Sequence, residues 1–126
     1  MILGQSMPCK GGGITMYSAW LPRQGNSATF VCHVIGASSA NLVFDVTVQH
    51  KNLGDDDSGA TGAGSFSTIS STGTYTLHVS GLKELVRFQY VADSAIPAAF
   101  EDWVHFRMLN PNWESNASPT GAVGVA

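Results

Sequence analysis

Four histidines, a run of three aspartates and a stripe mixing aromatic and cationic side chains are the groups of this 126-residue chain that could do chemistry. Metal ligation needs donors brought together, most simply by an H-x-H, H-x-x-x-H or C-x-x-C spacing. His33, His50, His78 and His105 show none of these spacings, and Cys9 and Cys32 belong to no such motif. His33, His78 and His105 each fall opposite the apolar phase of an alternating segment. Their plain reading is outward polar residues on a sheet, and a composite site drawn from three strands is the alternative. His50 is in phase with Val46 and Val48 at a segment end, where it is expected to cap the edge of a core.

Asp55-Asp56-Asp57-Ser58-Gly59 lacks both the D-x-D-x-D-G spacing and the bidentate Glu at the twelfth position of a calcium loop, so a solvated loop is expected. Gly11-Gly12-Gly13 and the run from Gly59 to Gly64 lack G-x-G-x-x-G and the P-loop Lys, and read as flexible linkers. No G-x-S-x-G elbow occurs, and no carboxylate pair can be defended from spacing. The expectation is a non-enzymatic protein with no metal and no cofactor. Asn116-Ala117-Ser118 has the form of a glycosylation sequon but is followed by Pro119, and it is set aside.

The strongest surface signal lies late in the chain. Trp103, His105 and Arg107 alternate with Val104, Phe106 and Met108, and Trp113 follows. Trp and Arg together are the composition of a binding hot spot, so Trp103, His105, Arg107 and Trp113 are the candidate partner contacts. Two accounts of Trp103 stand side by side: it meets a partner, or the chain's own C-terminal segment covers it.

These residues must be positioned by strands. Period-two alternation runs through 28–35 (ATFVCHVI), 42–50 (LVFDVTVQH), 74–80 (TYTLHVS) and 85–93 (LVRFQYVAD). Segments 14–21 (ITMYSAWL), 65–70 (SFSTIS) and 103–109 (WVHFRML) bring the total to about seven strands, and 96–102 (IPAAFED) has room for one helical turn. Turn residues fill 22–27, 36–41, 52–64 and 71–73. The cheapest burial of so many half-apolar strands is an all-β antiparallel β-sandwich, immunoglobulin- or fibronectin III-like or jelly-roll-like, with a closed barrel as runner-up. The sandwich is expected over 14–109, flanked by an N-terminal arm, 1–13, and a C-terminal arm, 110–126, neither able to form a core alone.

Charged residues are only 12% of the chain, against roughly 25% in ordinary soluble domains. The surface is therefore built of Ser, Thr, Gly, Asn and Gln, as in small β-proteins that live in assemblies or outside cells. With six Lys and Arg and a net charge of −3, no patch neutralises a run of phosphates, which argues against direct nucleic-acid binding. No stretch reaches the ~18 consecutive apolar residues of a membrane span, and the opening MILGQSMPCK does not read as a cleavable export signal. Cys9 and Cys32 are expected to be reduced thiols, with Cys32 in the core.

The block from Val46 to Asp93 has a strand ending Val48-Gln49-His50, an Asp- and Gly-rich loop and a short strand containing Phe66. It continues with a turn, Val79-Ser80-Gly81-Leu82-Lys83, and a strand opening Val86-Arg87-Phe88. This pattern covers about two fifths of the chain and resembles small β-sandwich structural proteins of tailed bacteriophages, of the head decoration or cement type. The resemblance implies a virion protein, assembled in the host cytoplasm, that binds the outer surface of a phage head. It further implies a lattice of major capsid protein as partner and a homo-oligomer, dimer or trimer. Extended arms would suit such a lattice, because multivalent wrapping offsets the entropy of ordering them. A carbohydrate or cell-surface binding module stacking Trp103, Trp113 or Trp20 on a sugar ring is the alternative, another minor head or tail component a further one, and an enzyme with a composite histidine site the third.

Overall fold

A computed structural model describes residues 3–9, 14–37, 42–94 and 102–114. The expected helical turn over 96–102 falls largely outside them, as do Gly11-Gly12-Gly13, the sequon and the chain beyond Glu114. Ten strands follow in order: β1 (Leu3–Cys9), β2 (Ile14–Tyr17), β3 (Leu21–Pro22), β4 (Ser27–Ala37), β5 (Leu42–Lys51), β6 (Thr61–Ser65), β7 (Gly73–Ser80), β8 (Leu85–Ser94), β9 (Asp102–Met108) and β10 (Asn112–Glu114). A single 3-10 turn, Asp57–Gly59, lies between β5 and β6.

Every ladder is antiparallel, and the strands form two sheets. In the first, Ser27–Thr29 of β4 pair with both β7 and β10, while Cys32–Val34 pair with both β7 and β9. A strand has two edges, so β9 and β10 share one edge of β4 and β7 holds the other. The order across this sheet is β1, β9/β10, β4, β7. By the same logic β2 and β3 share one edge of β8, and the second sheet runs β2/β3, β8, β5, β6. Each connection between successive strand positions except β5 to β6 crosses from one sheet to the other. The result is a sandwich of two five-stranded sheets, each four strand positions wide, with jelly-roll connectivity, which selects one of the two sandwich topologies the sequence allowed.

The core is what the alternation demands. Phe30, Cys32 and Val34 of β4 and Val104, Phe106 and Met108 of β9 face Phe44, Val46 and Val48 of β5 and Val86, Phe88 and Tyr90 of β8, all buried. Phe106 meets both Phe44 and Tyr90 at 4.7 Å between ring centres, and Phe30 meets Phe88 edge to face at 5.5 Å. Each such ring contributes about 1.5–3 kcal/mol by leaving water.

Four segments differ from expectation, one of them Asn112–Glu114, which lies in the stretch read as a C-terminal arm and pairs as β10 with β4. Leu3–Cys9, inside the segment read as an arm, is a full strand paired from Leu3 opposite Met108 to Cys9 opposite Asp102. The run from Gly59 to Gly64, read as a linker, enters β6. Its glycines suit it to that place, because a β-carbon on Gly64 would stand 2.9 Å from Cγ2 of Val79 in the facing sheet. The strand expected over 65–70 therefore begins earlier, and its far end meets β5 through a bridge between Phe44 and Ile69 and a hydrogen bond from Thr68 Oγ1 to Asp45 (2.8 Å). The segment 14–21 is split: the backbone N–H of Ser18 donates to Phe88 O (2.9 Å) while Ser18 Oγ accepts from the Phe88 N–H (2.8 Å), and Trp20 lies in the gap.

Candidate functional site

β9 presents Trp103, His105 and Arg107 on the outer face of the first sheet, opposite the buried Val104, Phe106 and Met108. The facing stretch of β4 carries a bulge. Val34 pairs with Phe106 and Gly36 with His105, so Ile35 is an extra residue and both Ile35 and Gly36 lie against the outer face. Ile35 and Trp103 are 47% and 45% exposed, the two large apolar side chains the first sheet shows to solvent among the described residues. Ile35, Gly36, Trp103 and His105 line an open groove of about 550 Å3. Gly36 is what lets the groove form, since it leaves room for the indole of Trp103 to lie over the strand.

Along the same face Arg107 Nε donates to His33 Nδ1 at 3.3 Å. His78 Nδ1 is 3.1 Å from Thr29 Oγ1 and 3.5 Å from Glu114 Oε1. The three outward histidines thus share one face, as their phase predicted, but stand at separate levels of β4: His78 opposite Thr29, then His33, then His105 opposite Gly36. Among the described residues no three metal-ligating side chains come together.

Trp113 does not join this patch. It pairs in register with Ala28, at the other end of β4 from Gly36, and packs edge to face on Phe30 at 6.2 Å. It closes the core from the inner side and borders a smaller hollow of about 220 Å3 with Gln24, Asn110 and Pro111. The bend through Leu109–Pro111 between β9 and β10 separates the two tryptophans. The four residues singled out in the sequence therefore divide into an outer stripe of three and one core-edge anchor.

A second cluster was not legible as such. On the outer side of the second sheet Trp20 carries Arg87 at 4.5 Å and Lys51 at 4.7 Å from its ring centre, and its Nε1 donates to Asp57 Oδ1 at 3.0 Å. Lys51 Nζ donates to the same oxygen at 2.7 Å and to Asp55 O at 2.9 Å; Arg87 also stacks on Tyr17 at 4.2 Å and donates from Nε to Gln49 at 2.8 Å. The hydrogen bond from Lys51, reinforced by its charge, the Trp20 N–H and Arg87, holds the Asp57 carboxyl below its usual range. The aspartate run, expected to be a solvated loop, is thus fastened to the sheet at its third member. Among the described residues this clasp gathers no group of three metal-ligating side chains.

Three titratable groups in or at the edge of the core have shifted proton affinities. Cys32 is a free thiol pushed up to about 12 by burial. The Tyr90 phenol is also raised, by burial and then by Cys32, and its hydroxyl has no hydrogen-bond partner among the described residues. His50 accepts the Lys83 backbone N–H at Nδ1 (3.2 Å), so it bridges β5 to the turn before β8 as a core-edge cap; burial and then Lys83 lower its affinity for a proton. Among the described residues no helix is long and apolar enough to cross a membrane. No protein-family model matches the chain, and no curated protein matches it.

Proposed function

We propose that this chain is a non-enzymatic virion structural protein that docks on the outer surface of an assembled phage head and stabilises it. The observation that carries this reading is the open groove around Trp103, Ile35 and Gly36, an apolar surface on a sheet face with almost no charge. Water gains nothing from such a patch, whereas a protein surface that covers it removes apolar area and uses a Trp of the kind that dominates interfaces. Arg107, fixed by His33, gives the patch a polar rim. The jelly roll supports the reading by analogy, since the architecture recurs in viral capsid proteins. So does the resemblance of residues 46–93 to head decoration proteins. The decisive experiment is co-sedimentation of the purified protein with empty capsids. Saturable binding at a fixed ratio, lost in Trp103→Ala, is expected; no binding at any concentration overturns the proposal.

The same groove favours a second reading. An exposed indole beside a histidine in an open depression is also a platform for a sugar ring, and jelly rolls include lectin domains. In that case soluble glycans shift the fluorescence of Trp103 and capsids leave it unchanged.

A further inference from the structure

Among the described residues the two sheets end in four edges, and three of them are blunted. β1 carries Pro8, which cannot donate to a ladder. The β2/β3 edge breaks after four residues and carries Pro22. β6 is five residues long, holds Gly62 and Gly64, and has a bulge in its ladder to β5. These are the devices by which sheet proteins prevent edge-to-edge pairing.

β7 has none of them. Its eight residues, GTYTLHVS, contain no Pro, Lys, Arg, Asp or Glu, and its register with β4 runs unbroken from Ser27 opposite Ser80 to Val34 opposite Gly73. That is its only ladder among the described residues, none of which pairs with the outer row of its backbone N–H and C=O groups. On the inner side Tyr75 and Leu77 are only half-buried where they pack against the core. A straight, uncharged strand of β-branched and aromatic residues is a template for another strand.

We propose that the outer edge of β7 pairs antiparallel with β7 of a second copy of this chain, across a two-fold axis at mid-strand. The strand is complementary to itself. With the axis at Thr76, Thr76 faces its own mate and Tyr75 faces Leu77 of the second copy; with the axis at Leu77, Leu77 faces its mate and Tyr75 faces Val79. Both registers juxtapose aromatic with aliphatic and Thr with polar neighbours, and neither opposes two like charges. The partner strand satisfies the orphaned backbone groups and covers Tyr75 and Leu77, and the first sheets of the two copies become one continuous eight-stranded sheet. The partner is a second copy because a closed two-fold uses up the edge, whereas any other donor strand would leave one open. This inference is independent of the docking reading.

The test is the mass of the full chain by light scattering across concentration, with amide exchange read strand by strand. A dimer is expected, with β7 amides protected more strongly as concentration rises. Thr74→Lys combined with Thr76→Lys places exposed like charges across the axis and is expected to raise the dimer dissociation constant at least about tenfold, with the strand signature in circular dichroism retained. A monomer at all concentrations, a trimer, or a dimer whose β7 amides exchange freely overturns the proposal, whether or not the lysine variant folds. So does a folded lysine variant that dimerises as tightly as the original chain.

Discussion

The indole of Trp103 lies over Gly36 so closely that a β-carbon on that glycine would stand 3.2 Å from Cζ3 and 3.3 Å from Cη2 of the ring. Gly36→Val should therefore tilt the indole off the strand and reshape the groove without entering the core. Because Trp103 is nearly half exposed, Trp103→Ala should change stability by no more than about 1 kcal/mol. Both variants should weaken capsid binding at least tenfold while melting near the original temperature. Co-sedimentation beside a thermal scan separates the two effects, and an unchanged affinity in both would remove Trp103 from the interface.

Gly25 is a stricter case. A β-carbon there would collide with the carbonyl oxygen of Glu114, against backbone rather than a side chain that can turn away. Gly25→Ala should prise β10 from β4 and loosen Trp113 from Phe30, at a cost of about 1–3 kcal/mol. Denaturant unfolding should show the loss, accompanied by a red shift of tryptophan emission.

Tyr90 holds a hydroxyl with no partner among the described residues, inside a ring of Phe44, Phe88 and Phe106. Burying an unsatisfied polar group costs free energy that phenylalanine does not incur. Tyr90→Phe should stabilise the fold by about 1 kcal/mol, raising the denaturant midpoint at constant slope. A destabilised variant would mean that the hydroxyl is bonded after all.

Asp57 ties the aspartate loop to Lys51, Trp20 and Arg87, and its carboxyl is held below the ordinary value of 3.8. A lowered native value means that the unfolded chain takes up the proton first. The contribution of Asp57 is thus fully present above 3.8 and is lost as pH falls through its lower native value. Asp57→Asn should flatten the acid limb of a melting-temperature profile and leave the loop amides of 52–60 exchanging faster at neutral pH.

The strands were legible wherever one face is buried and the other wet. Phe44, Val46 and Val48 against Asp45, Thr47 and Gln49 state both the period and the inward face, and the structure keeps them. β1 was hidden because LGQSMPC has no alternation; it is a strand through its pairing with β9, which lies far away in the chain. The outer stripe of Trp103, His105 and Arg107 followed from phase alone. Its completion by Ile35 did not, because a bulge depends on how two distant strands are registered. Trp113 was grouped with the stripe by proximity in sequence, and the bend at Asn110 and Pro111 turned it to the opposite side of the sheet. The clasp on Asp57 joins a strand gap, two strand ends and a loop, a juxtaposition no local window contains.

The ladder between β1 and β9 also governs when the molecule can fold. Leu3 pairs with Met108, so the first strand leaves the ribosome roughly 100 residues before its mate exists. At synthesis rates of ~5–20 residues per second that interval is about 5–20 s. Throughout it, among the described residues, the β5–β6 hairpin is the local unit, since the other ladders join strands distant in sequence. Assembly of the sandwich therefore waits for β9, in the slow class set by non-local pairing. Nascent-chain protease protection should appear only after β9 has emerged from the exit tunnel.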